Sequence, residues 1–143
     1  MTDHLDPHRL VRLRGCHPEL QARVTALIDA LTQIGYDLVL TQGVRSVAQQ
    51  QALYAQGRSK PGKIVTACDG TRHPSNHQPK LDGYGYAVDV AWRVNGSITW
   101  EGPWPTLGIL AAQHNLVWGG TWKWQDLCHL ELPPLSVSTA RSA

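Results

Sequence analysis

Apolar positions recur at helical spacing through Leu20, Val24, Leu27, Ile28, Leu31 and Ile34, with Pro18 ahead of the run and Gly35 behind it. Residues three and four apart share one face of a helix, and proline at the start with glycine past the end is the expected punctuation. The segment therefore predicts a helix buried along one stripe. The following YDLVLTQ carries Leu38, Val39 and Leu40, a short β-prone run. After Gly43, Ser46 and Gln49 stand at capping-box spacing and open a second helix that Gly57 closes.

Residues 58 to 84 lose this regularity. They are rich in Gly, Pro, Lys, Asp and His, and only Ile64-Val65-Thr66 reads as a strand; long loops of this kind in compact domains usually carry function or move. Regular patterning returns in YAVDVAW, which alternates as a strand does, and Asn95-Gly96 in VNGSI marks a hairpin. Trp104 to His114 predicts a third helix opening with Pro105, and Cys128 to Leu132 a last strand. Isolated strands and hairpin signals among three helices predict an α+β fold with a small antiparallel sheet. Residues 1–135 form one expected domain and 136–143 a polar tail.

Composition agrees with a single folded unit. A chain of 143 residues with 42% hydrophobic and 17% charged positions can bury one sizeable core and is far from a disordered composition. Its 13 basic and 11 acidic residues are mixed along the chain, so no basic stripe awaits a nucleic-acid backbone, and nucleic acid is not an expected partner. Cys16, Cys68 and Cys128 form no CxxC pair and fit a reducing compartment. The opening MTDHLDPHRL lacks the basic and apolar regions of a signal peptide, and no apolar run approaches the roughly 20 residues of a membrane span. The expectation is a monomer made in the cytoplasm without stable membrane insertion.

Chemistry concentrates in or beside two predicted strands. Asp89 lies between Val88 and Val90, so a strand carries a carboxylate toward one face of the sheet, and burying it unpaired is unfavourable. A paired strand aspartate is one reading, and His129 alone reads as a satisfied core histidine. Taken with His77 and Asp126, however, two histidines and a carboxylate supply the ligand types of catalytic zinc, which keeps three protein ligands and a fourth position for water. Trp118, Trp122 and Trp124 precede Asp126 in a chain with six tryptophans and no phenylalanine, and core or rim packing is their expected role.

The segments GVRS (Gly43 to Ser46), SNH (Ser75 to His77), GYAVD (Gly85 to Asp89), WGGTW (Trp118 to Trp122) and DLCH (Asp126 to His129) occur in that order. Together they resemble the motifs of the zinc D-Ala-D-Ala carboxypeptidase and L-alanyl-D-glutamate endopeptidase family, which includes single-domain bacteriophage endolysins. The resemblance runs from about His17 to Leu132. It implies a hedgehog/D-Ala-D-Ala peptidase-like fold with His77, Asp89 and His129 as zinc ligands and Asp126 as general acid/base. Arg45 and Ser75 would meet the substrate, a peptidoglycan stem peptide. The implied activity is L-alanyl-D-glutamate endopeptidase, acting as an endolysin released to the wall after synthesis.

One departure bears on the ligand set. The family pattern SxHxxGxAxD sets its histidine closer to its aspartate than His77 and Asp89, which lie twelve positions apart. An insertion in QPKLDGY accounts for this, because loops absorb added length at small entropic penalty; His73 or Asp82 as a replacement ligand is the rival. Glu131 shares the strand face of His129 and reads as a surface acid, whereas alternation points Cys128 to the opposite face for packing. Competing activities are a D-Ala-D-Ala-type carboxypeptidase, a noncatalytic zinc-stabilised wall-binding module, and a Cys-dependent hydrolase.

Overall fold

The computed structural model describes residues 7–135. A short helix, α1 (Pro7–Leu13), opens it. The apolar pattern does not announce this helix, since Leu10 and Val11 face solvent and Leu13 alone of its apolar run is buried. Helix α2 (Pro18–Gln33) follows, with Pro18 in its first turn and the His17 side chain accepting the Glu19 backbone N–H at its start. Leu20, Val24, Leu27, Ile28 and Leu31 are its buried stripe, and full burial of each such side chain contributes roughly 1.5–3 kcal/mol. Ile34 falls outside that stripe: the helix stops at Gln33, Ile34 caps it exposed, and Gly35 turns the chain at φ +93°.

The remaining elements are β1 (Asp37–Gln42), α3 (Val47–Ala55), β2 (Ala87–Val94), β3 (Ser97–Thr99), α4 (Trp104–Gln113), β4 (Val117–Trp118) and β5 (His129–Glu131), with one tight turn of helix at Gly119–Thr121. The capping box of α3 is present in both directions between Ser46 and Gln49. Asn95 and Gly96, both with positive φ, turn β2 into β3. The fold is thus α+β as the pattern predicted, with four described helices instead of three.

The sheet runs β1-β2-β5-β4, with β3 also paired to β2, and every pairing is antiparallel. Strand β2 is its centre. Val88, Val90 and Trp92 join the core that α2 and α4 cover, so alternation turns Asp89 to the other face. There lie residues 58–84, which hold no strand or helix. Ile64-Val65-Thr66 is not a strand: Ile64 and Val65 are exposed and pair with no neighbour, while Thr66 Oγ1 accepts from Gln50 Nε2 and from the Cys68 N–H. Side-chain bonds replace a ladder there. No helix among the described residues is long and apolar enough to cross a membrane.

Candidate active site

Pairing of β2 with β5 sets Asp89 directly opposite His129. On its other side Asp89 meets Gln42, where the register with β1 shifts through a bulge. That bulge delivers the chain to Gly43 and Arg45. His77 arrives from the long loop, where the Arg45 N–H donates to its carbonyl at 2.8 Å and its own N–H donates to Ser75 Oγ at 3.1 Å. Both histidines are almost fully buried.

Each imidazole is fixed by a partner on its far side. His77 Nδ1 lies 3.0 Å from the Gly43 carbonyl, which can only accept, so Nδ1 carries the hydrogen and Nε2 turns a lone pair inward. His129 is held the opposite way: Nε2 lies 2.7 Å from Glu131 Oε1, leaving Nδ1 to face inward. His77 Nε2 and His129 Nδ1 then stand 3.3 and 3.5 Å from Asp89 Oδ1. That oxygen is buried without an aligned donor. One ligand atom from each of the three residues can be chosen so that all lie within 4.8 Å of one another. Three inward electron pairs in a largely buried cluster are unfavourable alone and favourable around a shared cation, so the residues present fit a divalent metal.

The electrostatics agree. Burial alone would raise the Asp89 carboxyl, but the contacts and charge of His129 and His77 outweigh it and hold the group well below the usual carboxylate range. Burial would likewise depress His129, yet Asp89 and Glu131 push it up to about 9. The centre gathers positive charge, which a metal ion supplies in place of protons.

Arg45 donates from one terminal nitrogen to Asp89 Oδ2 at 3.3 Å and from the other to Gln50 Oε1 at 2.7 Å. It therefore neutralises the Asp89 oxygen that the histidines leave free. Gln50 is fully buried and also donates to the Cys68 carbonyl at 2.8 Å, tying α3, Arg45 and the loop together. Nothing in the sequence marks Gln50: it stands between Gln49, which the capping box claims, and Gln51, and burial alone sets it apart.

Asp126 stands at the cavity edge with its Oδ2 3.8 Å from His129 Nδ1. Its N–H donates to the Gly119 carbonyl at 2.9 Å. A Cβ at Gly119 would collide with the Asp126 carbonyl oxygen, which explains the first glycine of WGGTW. Cys128 does not point away as alternation suggested: β5 begins one residue later, and the Cys128 thiol donates to Asp126 Oδ1 at 3.4 Å. Burial, with Asp89 and Asp126 adding to it, raises this thiol far above the ordinary range, the reverse of what a thiolate nucleophile needs.

Arg45, His77, Asp89, Asp126 and His129 line a cavity of about 410 Å³ that also takes in Ser75 and Trp122, whose ring lies 4.9 Å from that of His129. Trp124 is 83% exposed and packs in no core. The two rival ligands are elsewhere. His73 is 75% exposed and faces Asp69 at 3.6 Å, and Asp82 is bonded to the Tyr86 hydroxyl and the Tyr84 N–H. Glu131 is no surface acid, being largely buried against His129.

No family model matches the chain. Over 130 residues it is 35% identical to the peptidoglycan L-alanyl-D-glutamate endopeptidase CwlK of Bacillus subtilis (strain 168), covering 82% of this chain and 74% of that protein. The chain belongs to the zinc D-Ala-D-Ala carboxypeptidase and L-alanyl-D-glutamate endopeptidase family. Membership makes it an enzyme of the metallopeptidase class. Among solved structures, the family member ChiX, an L-Ala D-Glu endopeptidase of Serratia marcescens, superposes with a TM-score of 0.61 at 26% identity, covering 90% of this chain and 89% of that one. The D,D-pentapeptidase VanY of a VanB-type vancomycin-resistance cassette, solved with Zn(II), shares the fold at a TM-score of 0.60 and 15% identity, covering 87% of this chain and 76% of that one. The D-Ala-D-Ala peptidase-like fold implied by the motifs is the one observed.

Proposed function

We propose that this family member is a zinc-dependent L-alanyl-D-glutamate endopeptidase that cleaves peptidoglycan stem peptides. The observation that carries the reading is the convergence of His77, Asp89 and His129 within 4.8 Å beside Asp126 on one cavity. CwlK and ChiX, both named for this activity, support the choice of bond.

His77, Asp89 and His129 would hold the metal, which would acidify a water to a pKa of about 7 and polarise a carbonyl. Asp126 takes the proton of the attacking water at Oδ2 as the new C–O bond forms, and then gives it to the leaving amine as the peptide C–N bond breaks. The Cys128 thiol fixes the rotation of that carboxylate by occupying Oδ1. Arg45 donates to Asp89 Oδ2 and lines the cavity, where a substrate carbonyl or carboxylate is the complementary group for its guanidinium. Ser75, whose Oγ already accepts from His77, retains its hydroxyl hydrogen for a substrate oxygen. Within this reading the enzyme lyses walls in the manner of an endolysin.

The test is digestion of purified peptidoglycan with mass spectrometry of the fragments, before chelation, after it, and after zinc return. New D-glutamate amino termini that vanish with chelation and reappear with zinc are expected. Release of terminal D-alanine alone would make the enzyme a carboxypeptidase, and undiminished cleavage after complete metal removal would overturn the proposal. Added to outer-membrane-permeabilised cells, the protein should clear turbidity, and intact turbidity would sink the lytic role.

A further inference from the structure

Glu131 lies two residues beyond His129 in β5, where strand alternation returns it to the same face. Its Oε1 accepts from His129 Nε2 at 2.7 Å. Asn76 lines the same cavity as Glu131, and Asn76 Oδ1 accepts from Lys80 Nζ at 2.7 Å. With its oxygen turned to the ammonium, the Asn76 amide has only its NH₂ to offer Glu131. Lys80 thus donates to Asn76, and His129 to Glu131. Lys80 belongs to QPKLDGY, the stretch by which His77 and Asp89 are set further apart than the family pattern. That stretch is built: Lys80 Nζ also lies 5.2 Å from the Tyr86 ring centroid, and the Tyr86 hydroxyl donates to Asp82.

We infer that Glu131 is a positioning residue for His129 and that the added loop strengthens it through Lys80 and Asn76. A carboxylate accepting from the far N–H of a ligating imidazole fixes its tautomer and ring angle and makes the near nitrogen a better donor. Asn76 and Lys80 hold that carboxylate in turn, so the loop length absent from the family pattern acts on the metal site from outside it. The inference rests on the proposed function in one respect, that His129 is a metal ligand.

Zinc affinity, measured by competition with a chromophoric chelator, and melting of the metal-free protein test it in E131A, E131Q and K80M. E131A is expected to weaken zinc binding about 10- to 100-fold. E131Q keeps an acceptor oxygen for His129 without the charge and should recover part of that loss, while K80M should lose affinity by a smaller factor. Metal-free melting of E131Q and K80M should stay near wild type, so these two carry the test if E131A fails to fold. A merely structural role predicts the reverse: lower metal-free stability with zinc affinity unchanged in E131Q and K80M, which would overturn the inference. A loss in E131Q with none in K80M would retain Glu131 and overturn the loop's part. If the wild type binds no zinc, the proposed function falls as well; if it binds zinc and all three variants match it, only this inference falls.

Discussion

Asp126 is half exposed, at 47% of its side chain, whereas the three ligand candidates are at 17% or less. A group that exchanges protons with substrate needs that access, and it need not hold the metal. Asp126→Asn keeps the size and an oxygen for the Cys128 thiol but loses the basicity. It is expected to lower hydrolysis about 10²- to 10⁴-fold while leaving zinc content at one per chain; a wild-type rate would remove Asp126 from the mechanism. His77→Ala should lose zinc by metal analysis and His73→Ala should keep it, since His73 sits exposed beside Asp69. The reverse result would reassign the ligand. Asp89 and His129 were legible because a carboxylate and an imidazole set between apolar strand residues need a partner. Glu131 and Gln50 were not, because their importance lies in what they touch. Cys128 was misplaced by a strand that starts one residue later than its pattern suggests.

At the level of elements, the sequence pattern found every long piece and the short strands β3 and β5, and missed α1 and β4. Helix α2 and strand β2 carry strong stripes, whereas α1 has seven residues and β4 two, too few for a period to show. Residues 64–66 have strand-forming side chains but no partner strand, and Gln50 holds that segment instead. The turn joining α1 to α2 offers a test of its own. Cys16 is fully buried there, and burial pushes its thiol up to about 11 from 9.0. A folded value above the unfolded one favours the neutral thiol in the fold. Its stabilisation is therefore complete below pH 9 and is lost as pH rises from 9 toward 11. Two units correspond to about 3 kcal/mol at most. Denaturant unfolding across that range should show wild-type stability falling more steeply than that of Cys16→Ala, and parallel slopes would mean the thiol titrates normally.

Over the whole molecule, the site draws on the end of β1, the long loop, β2, the Asp126 turn and β5. Core packing of α2 and α4 on the sheet sets the strands that carry Asp89 and His129. The loop that brings His77 has no ladder, and is held by Gln50, by the Gly43 carbonyl and by the backbone bond from Arg45. A metal bound to residues 77, 89 and 129 would join that loop to two strands. Binding the native state alone stabilises it by mass action, by about 2.7 kcal/mol when free zinc is 100 times its dissociation constant. For a chain near this length each kcal/mol is about 2–4 °C, so chelation should lower the melting temperature on the order of 5–10 °C and zinc return should restore it. Hydrogen exchange should place the change unevenly, with protection gained at 64–78 and little at α2, whose bonds the core already shields. Identical melting curves with chelator and with excess zinc would mean that the three converging side chains hold no ion.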